Sequence, residues 1–255
     1  MRVAAIQLAI HPSSRTTTMQ RAIHEIDRAA EMDPAPDLVV LPAFVDTCVD
    51  SPDDVLEKGV GPTAATCGFR ARSWGVFVAM GMAERARPRP RLNGLLFDHD
   101  GDDLLIQSLT RPGTALAERF DASTERLEAA ETLLGRIAVL VDDDIVDEAS
   151  WNDVVAGGAQ LIVGVVGAGA TSEKSFASAL SDLAKRFHRP VVVADVTTCG
   201  KKGAVRRRGV SRIVAADGEV VAEAEADTAT ILVADLTLPA AAVVDESVAT
   251  SGSGD

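Results

Sequence analysis

Three adjacent aspartates, Asp142, Asp143 and Asp144, are residues whose type and spacing could carry chemistry. They directly follow the apolar run Ile137–Val141, which predicts a strand buried in a sheet. The C-terminal ends of such strands are where α/β sheets usually hold their sites. Neighbouring carboxylates repel one another, so these three must be solvated, paired with cations or partly protonated. The cluster therefore predicts either a metal or catalytic site or an exposed acidic loop.

Metal binding through histidine or cysteine finds little support in the sequence. The four histidines lie far apart, none is paired with another at helical spacing, and none is beside a cysteine. Residues 98–103 hold four aspartates around Gly101, as in a calcium-binding loop. However, the glycine stands at the fourth place instead of the sixth, and Leu109 occupies the twelfth place, where such a loop has Glu. The segment therefore predicts a hairpin turn, and we expect no metal and no cofactor.

The charge balance bears on the class of partner. The 255 residues include 38 acidic and 25 basic side chains, for a formal net charge of −13, which argues against nucleic-acid binding. Residues 201–208 reverse this balance with five Lys or Arg and no aromatic residue, which predicts a solvated loop or an anion-steering surface. No apolar run approaches the roughly 20 residues of a membrane span, so we expect no membrane partner. The three widely spaced cysteines favour reduced thiols and a cytoplasmic location.

Short β-branched runs alternate with amphipathic stretches along the chain, which is typical of a layered α/β architecture. Continuous apolar runs such as Leu38–Leu41 and Leu161–Val166 indicate strands that are buried on both faces. No low-complexity linker divides the chain. We therefore predict one α/β domain over residues 1–238, with two sheets back to back and helices outside, and a partly disordered tail over residues 239–255.

Seven short sequence phrases follow one another at characteristic intervals. They are Arg2–Gln7, Asp37–Pro42, Gly75–Gly81, Asn93–Phe97 with Asp100-Gly101 after it, Gly135–Val141, Gly209–Val214 and Asp217–Val220. In this order the phrases resemble the carbon–nitrogen hydrolase (nitrilase) superfamily over about residues 1–238. The resemblance implies a single-domain, four-layer α-β-β-α sandwich that assembles at least as a dimer.

The chemistry of that superfamily depends on a Glu general base, a Lys and a nucleophilic Cys. The resemblance implies where each would lie in this chain. The Glu position is Ala43, which follows the second predicted strand, and the Cys position is Asp142. The Lys position is Arg111, or Thr110 if the alignment shifts by one residue. A second, supporting Glu is implied at Glu118.

Because every member of the triad is replaced, our main hypothesis is an inactive member of the superfamily that acts as a non-catalytic subunit or scaffold. It would form a homodimer or join a hetero-oligomer with an active homologue. One alternative is a hydrolase of amides or nitriles that uses Asp142 and Arg111 in an altered mechanism, with Cys48 as a remote candidate for a substitute nucleophile. Another is a sensor that binds a small carboxylate or amide through Arg111, Asp142 and Asp144, because the guanidinium fork matches a carboxylate. We also expect Asp142 and Arg111 to form an ion pair.

The resemblance further implies that a dimer would bury two helices, near Ala149–Ala156 and Thr171–Phe187. Trp151 on the first helix is a large ring that would anchor the interface if it is partly exposed, because aromatic residues are common interface anchors. Ala177 and Ala184 on the second helix are small enough for close helix contact. The alternative is that Trp151 packs inside its own subunit.

Overall fold

Two β-sheets lie face to face at the centre of the computed structural model, which describes residues 1–11, 14–45, 47, 56–59, 61–167, 173–198 and 209–240. The first sheet has seven strands, of which most come from the N-terminal half of the chain. They are β1 (Arg2–Ile10), β2 (Leu38–Val40), β3 (Phe77–Glu84), β4 (Arg91–Phe97), β5 (Asp103–Ser108), β10 (Val196–Thr198) and β13 (Thr230–Asp235). The strand order is β10-β1-β2-β3-β4-β5, and β13 pairs with the first part of β1. β1, β2 and β3 are parallel, so their C-terminal ends meet at one edge of this sheet.

The second sheet has six strands from the rest of the chain. They are β6 (Ala129–Thr132), β7 (Gly135–Val141), β8 (Leu161–Val165), β9 (Val191–Ala194), β11 (Arg212–Val214) and β12 (Val220–Glu223). The order is β12-β11-β9-β8-β7-β6, with β7, β8 and β9 parallel and the outer strands antiparallel. β8 and β9 are fully buried, and β7 is buried from Ile137 onwards, as their continuous apolar sequences predict.

Helices cover the outer face of each sheet and complete four layers. The longer helices are α1 (Arg15–Ala30), α2 (Pro62–Trp74), α4 (Glu148–Ala156) and α5 (Glu173–Phe187), and α3 (Thr114–Ala117) is a single short turn. One apolar core fills the space between the sheets, a second lies between α1, α2 and the first sheet, and a third lies between α4, α5 and the second sheet. This arrangement confirms the expected single-domain α-β-β-α sandwich. None of the helices within the described ranges is long and apolar enough to cross a membrane.

Local sequence explains where the helices begin and end. The hydroxyl of Ser14 accepts a hydrogen bond from the N–H of Thr17 (3.2 Å) and caps α1. Pro62 opens α2, and Gly75, with φ +65°, ends it in the left-handed conformation that glycine adopts most easily.

The two sheets approach each other closely where Gly94 in β4 faces Val139 in β7. A Cβ atom added to Gly94 in β4 would lie 2.6 Å from Cγ1 of Val139 in β7. A larger residue at position 94 would therefore push the sheets apart, because a packed interior has no free volume there. Gly94 thus helps to set where the C-terminal end of β7 lies.

Trp151 belongs to the core of its own subunit, so the prediction that it anchors a dimer interface is wrong. Its side chain is 0% exposed, and its ring centroid lies 5.7 Å from that of Phe187 in α5. The indole N–H donates to the carbonyl oxygen of Ile145 (2.8 Å). Ala184 is also fully buried in this core, whereas Ala177 is partly exposed on α5.

Three elements were not predicted from the sequence, namely α3, β6 and the 3-10 turn at Asp142–Val146. All three are short, so tertiary contacts decide them more than local periodicity. The first residues of the predicted tail contact the domain, because the side chain of Gln160 donates to the carbonyl oxygen of Pro239 (2.6 Å). Residues 241–255 lie outside the described residues, and the predicted disorder there stays a prediction.

Candidate functional site

The candidate site lies where the C-terminal ends of β2, β7 and β8 meet. The backbone N–H of Ala43, beyond β2, donates to the carbonyl oxygen of Val166, beyond β8 (3.1 Å). The N–H of Gly167 donates to Oδ2 of Asp142, which directly follows β7 (3.2 Å). Ala43 and Asp142, assigned to the site from the resemblance, are thus brought to one edge of the sandwich. Both are buried, with 0% and 1% of their surface exposed.

The surroundings of Ala43 are apolar and tightly packed. Phe44 is fully buried with φ +58°, and its ring centroid lies 6.0 Å from that of Phe120. A Cβ added to Gly167 would lie 2.8 Å from the ring of Phe44, and one added to Gly81 would lie 2.8 Å from Cα of Ala43. A methyl group in this setting cannot accept a proton, so position 43 supplies no general base.

Asp142 occupies a sharp turn from a strand into a short helix. Its φ is +46°, which is uncommon for a residue other than glycine, and the 3-10 turn Asp142–Val146 begins there. A strand-to-helix turn of this type is the geometry that exposes a nucleophile at the top of the sheet in α/β-hydrolase enzymes. The backbone at Asp142 therefore has the shape of a nucleophile turn, although the side chain is a carboxylate.

Asp144 holds the segment that follows β5. Its carboxylate accepts hydrogen bonds from the N–H of Thr110 (2.8 Å), the hydroxyl of Thr110 (3.1 Å) and the N–H of Arg111 (2.8 Å). Burial raises the pKa of the Asp144 carboxyl, while the bonds from Thr110 and Arg111 lower it in part. Asp144 is fully buried and engaged by the chain itself, so it does not support the predicted role in ligand binding.

The three adjacent carboxylates each accept a bond from the backbone of another segment. Asp143 accepts from the N–H of Gly113 (2.8 Å), as Asp142 does from Gly167 and Asp144 from Thr110 and Arg111. These donors stabilise neighbouring negative charges that would otherwise repel one another. The three carboxylates therefore hold neighbouring segments of the chain in place. Neither predicted alternative, a metal or catalytic site or an exposed acidic loop, included this role.

Arg111 points towards α4, and the predicted ion pair with Asp142 is wrong. Its guanidinium contacts Asp153 (Nη2 to Oδ2, 2.6 Å) and Asp147 (Nε to Oδ2, 3.5 Å), and it donates to the hydroxyl of Ser150 (3.0 Å). The hydrogen bond to Asp153 raises the pKa of the Arg111 guanidinium, which therefore stays charged. Among the hydrogen bonds and ion pairs of the described residues, Arg111 makes none with Asp142.

Thr110, the other candidate for the Lys position, is turned to Asp144 and carries no charge. The segment 110–111 thus brings no cation into contact with Asp142 within the described part of the chain. Ser150, Asp153 and Gly167 are partners of the site that were not predicted from the sequence. Only the first had a signal: Ser150 stands three residues after Asp147, whose side chain accepts from the N–H of Ser150 (2.8 Å) and caps α4.

The remaining candidates lie away from this edge or outside the described residues. Glu118 is exposed at the end of α3, which gives no support to its predicted supporting role. Cys48 and residues 201–208 are not described. Asp98 acts as a turn residue in the β4–β5 hairpin, because its side chain accepts from the N–H groups of Asp100 and Asp102 (both 2.9 Å). This geometry supports the hairpin interpretation of residues 98–103.

Comparison with known proteins agrees with the fold. A family model described as carbon–nitrogen hydrolase matches residues 2–245. A carbon–nitrogen hydrolase from Helicobacter pylori G27 superposes with a TM-score of 0.83 at 18% identity, covering 92% of this chain and 88% of that chain. An amidase from Nesterenkonia sp. AN1 superposes with a TM-score of 0.81 at 21% identity, covering 93% of both chains. A mutant of that amidase has been solved after Michael addition of acrylamide at its active-site cysteine. No curated protein matches the chain.

Proposed function

Because the chain belongs to the carbon–nitrogen hydrolase family, we propose that it keeps the family's fold without its hydrolytic chemistry and acts as a non-catalytic subunit or scaffold. One observation carries the proposal. At the turn after β7 a buried carboxylate, Asp142, accepts from the N–H of Gly167 and lies at the same edge as the methyl group of Ala43. This pair contains no thiol, and a methyl group stands at the position that the resemblance assigns to the general base.

The missing groups are the ones on which amide hydrolysis depends. Attack on an unactivated amide needs a strong nucleophile, a base that takes its proton, and a positive group near the developing oxyanion. Asp142 is a weak nucleophile, Ala43 accepts no proton, and the charge of Arg111 is directed to Asp147 and Asp153. Loss of a nucleophile or base alone typically lowers kcat by about 10⁴ to 10⁶.

The geometry of Arg111 weighs against both alternative functions. In the altered hydrolase, Arg111 would have to stabilise charge next to Asp142, but its contacts are with residues of α4 and its N-cap. In the sensor, Arg111 would hold the carboxylate of a ligand, but two carboxylates of the chain already neutralise it. A ligand would need to displace Asp153, at a distance of 2.6 Å.

The first test is an activity assay of the purified protein. We expect no hydrolysis of simple amides, nitriles or N-carbamoyl compounds above the rate of a blank purification. Asp142→Ala is the matched control, because a contaminating hydrolase would give the same rate in both preparations. Turnover in the wild-type protein that is lost in Asp142→Ala would contradict the proposal and favour the altered mechanism.

The second test concerns assembly, because a non-catalytic subunit acts through contact with other chains. We expect a dimer or larger homo-oligomer by light scattering at micromolar concentration. Ala177, partly exposed on α5, is the remaining small residue of the predicted interface, so Ala177→Glu is expected to dissociate the assembly. Thr16→Glu on the exposed face of α1 adds the same charge elsewhere and should leave the mass unchanged.

A monomeric wild-type protein would exclude the homo-oligomer and leave a hetero-oligomer with an active homologue. If the assembly of Ala177→Glu has the same mass as that of the wild-type protein, the interface lies elsewhere than on α5. A cytoplasmic location is part of the same proposal and is supported by the odd number of cysteines, three in all.

A further inference from the structure

A cleft of about 340 Å³ lies where the segment 56–59 meets the chain that leaves β3. Its lining residues within the described part of the chain are Lys58, Arg85, Ala86 and Arg87. Three of these four carry a positive charge, in a protein whose formal net charge is −13. The charge of the described lining is thus opposite to that of the molecule as a whole, which favours the approach of an anion.

Backbone contacts fix the two walls of the cleft against each other. Glu57 forms a parallel β-bridge with Glu84, and the N–H of Arg85 donates to the carbonyl oxygen of Glu57 (2.6 Å). On the other side of Lys58, the N–H of Gly59 donates to Oε1 of Glu84 (3.0 Å). Lys58 therefore projects from a segment that is anchored on both sides, next to Arg85.

The acidic residues of these walls are already engaged. The Glu57 carboxylate is buried, pairs with Arg15 and accepts from the N–H and hydroxyl of Thr63. The Glu84 carboxylate accepts from the N–H of Gly59 and, at 2.8 Å, from the side-chain amide of Asn93. Both carboxylates are thus held by donors other than the cations that line the cleft.

Lys58 and Arg87 are exposed, and neither forms an ion pair with another described residue. Arg89, two residues further on, differs from them because it pairs with Asp121 (2.8 Å). Two cations at one concave surface repel each other unless an anion joins them. A ligand with two negative charges would relieve this repulsion most effectively.

We propose that this cleft binds the phosphate group of a small molecule. A phosphate monoester carries nearly two negative charges at neutral pH and presents three acceptor oxygens. The Arg87 guanidinium can donate to two of these oxygens, and Lys58 supplies a point charge for the third. The volume is at the low end of that of small-molecule sites, which fits a phosphate with a short organic group. The site lies outside the candidate site at Asp142 and does not depend on the proposed function.

The test is calorimetric titration of the full-length protein with phenyl phosphate, inorganic phosphate and benzoate. We expect saturable binding of a phosphate probe, weakened by added salt, and much weaker binding of benzoate, which has one charge. The double variant Lys58→Ala/Arg87→Ala should weaken phosphate binding by at least about tenfold, because each charged hydrogen bond contributes about that factor.

Arg72→Ala/Lys185→Ala is the matched control. It removes the same two charges from exposed positions on α2 and α5, and it should change the affinity less than about twofold, a factor typical of unspecific long-range charge effects. Tighter binding of phenyl phosphate than of inorganic phosphate would assign the site to a phosphorylated organic molecule, and equal binding would assign it to the phosphate group alone. Absence of saturation, equal binding of benzoate, or equal loss in both double variants would overturn the proposal.

Discussion

Replacement of Trp151 by Ala is expected to lower the free energy of unfolding by about 3–5 kcal/mol, the usual cost of removing a large aromatic ring from a core. The ring is 0% exposed, packs at a tilt of 36° against Phe187, and donates to the carbonyl oxygen of Ile145. Alanine would leave a cavity beneath α4 and an unpaired carbonyl group. A loss of this size is a large fraction of the roughly 5–15 kcal/mol that stabilises a typical domain.

Trp74 provides an internal control, because the chain has only two tryptophans. Its side chain is 39% exposed at the end of α2, where its indole N–H donates to Asp27 (2.8 Å). Trp74→Ala should therefore cost about 1 kcal/mol, mainly for one exposed hydrogen bond. Urea unfolding followed by circular dichroism measures both variants on the same scale. Equal losses in the two variants would contradict the burial of Trp151 in its own subunit.

Replacement of Asp144 by Ala is expected to lower the free energy of unfolding by about 2–4 kcal/mol. The substitution leaves the N–H groups of Thr110 and Arg111 and the hydroxyl of Thr110 without their acceptor. Removal of a buried charge offsets part of this cost, because burial itself disfavours the carboxylate. Asp143→Ala, which removes one bond to Gly113 at a partly exposed position, should cost about 1 kcal/mol or less.

The Asp144 carboxyl also makes the stability of the folded protein depend on pH, and Asp144→Asn removes this dependence. Burial raises its pKa in the folded protein above the ordinary value of 3.8, so the folded state binds this proton more tightly than the unfolded state. Its contribution to stability is therefore present at acidic pH and is lost as the pH rises through the pKa of the folded state. The stability of the wild-type protein relative to Asp144→Asn should fall as the pH rises from the ordinary value of 3.8 through the raised pKa of the folded state. The opposite sign would mean that the hydrogen bonds from Thr110 and Arg111 outweigh burial.

Much of the fold follows directly from the sequence. Continuous apolar runs predicted the strands β2, β7 and β8, because strands buried on both faces have few polar positions. The resemblance assigned Ala43 and Asp142 to one site, and the structure brings both to the edge where the strand ends meet. The proposed loss of the triad likewise rests on the sequence, because it depends on the residue types at positions 43, 110, 111 and 142.

Side-chain directions were decided only by the tertiary structure. The sequence suggested that Arg111 would pair with Asp142, but 42 residues separate Arg111 from its actual partner, Asp153. The bond between Thr110 and Asp144 spans 34 residues, and no periodic pattern reports contacts at such separations. Trp151 is a second example. An amphipathic helix has a buried face whether or not another of its faces joins an interface, and only the packing of α4 against α5 shows that the indole of Trp151 lies on the buried face. Local patterns determine which segments form strands and helices, whereas the partner of a charged or aromatic side chain depends on which distant segments the closed sandwich brings within about 3–4 Å.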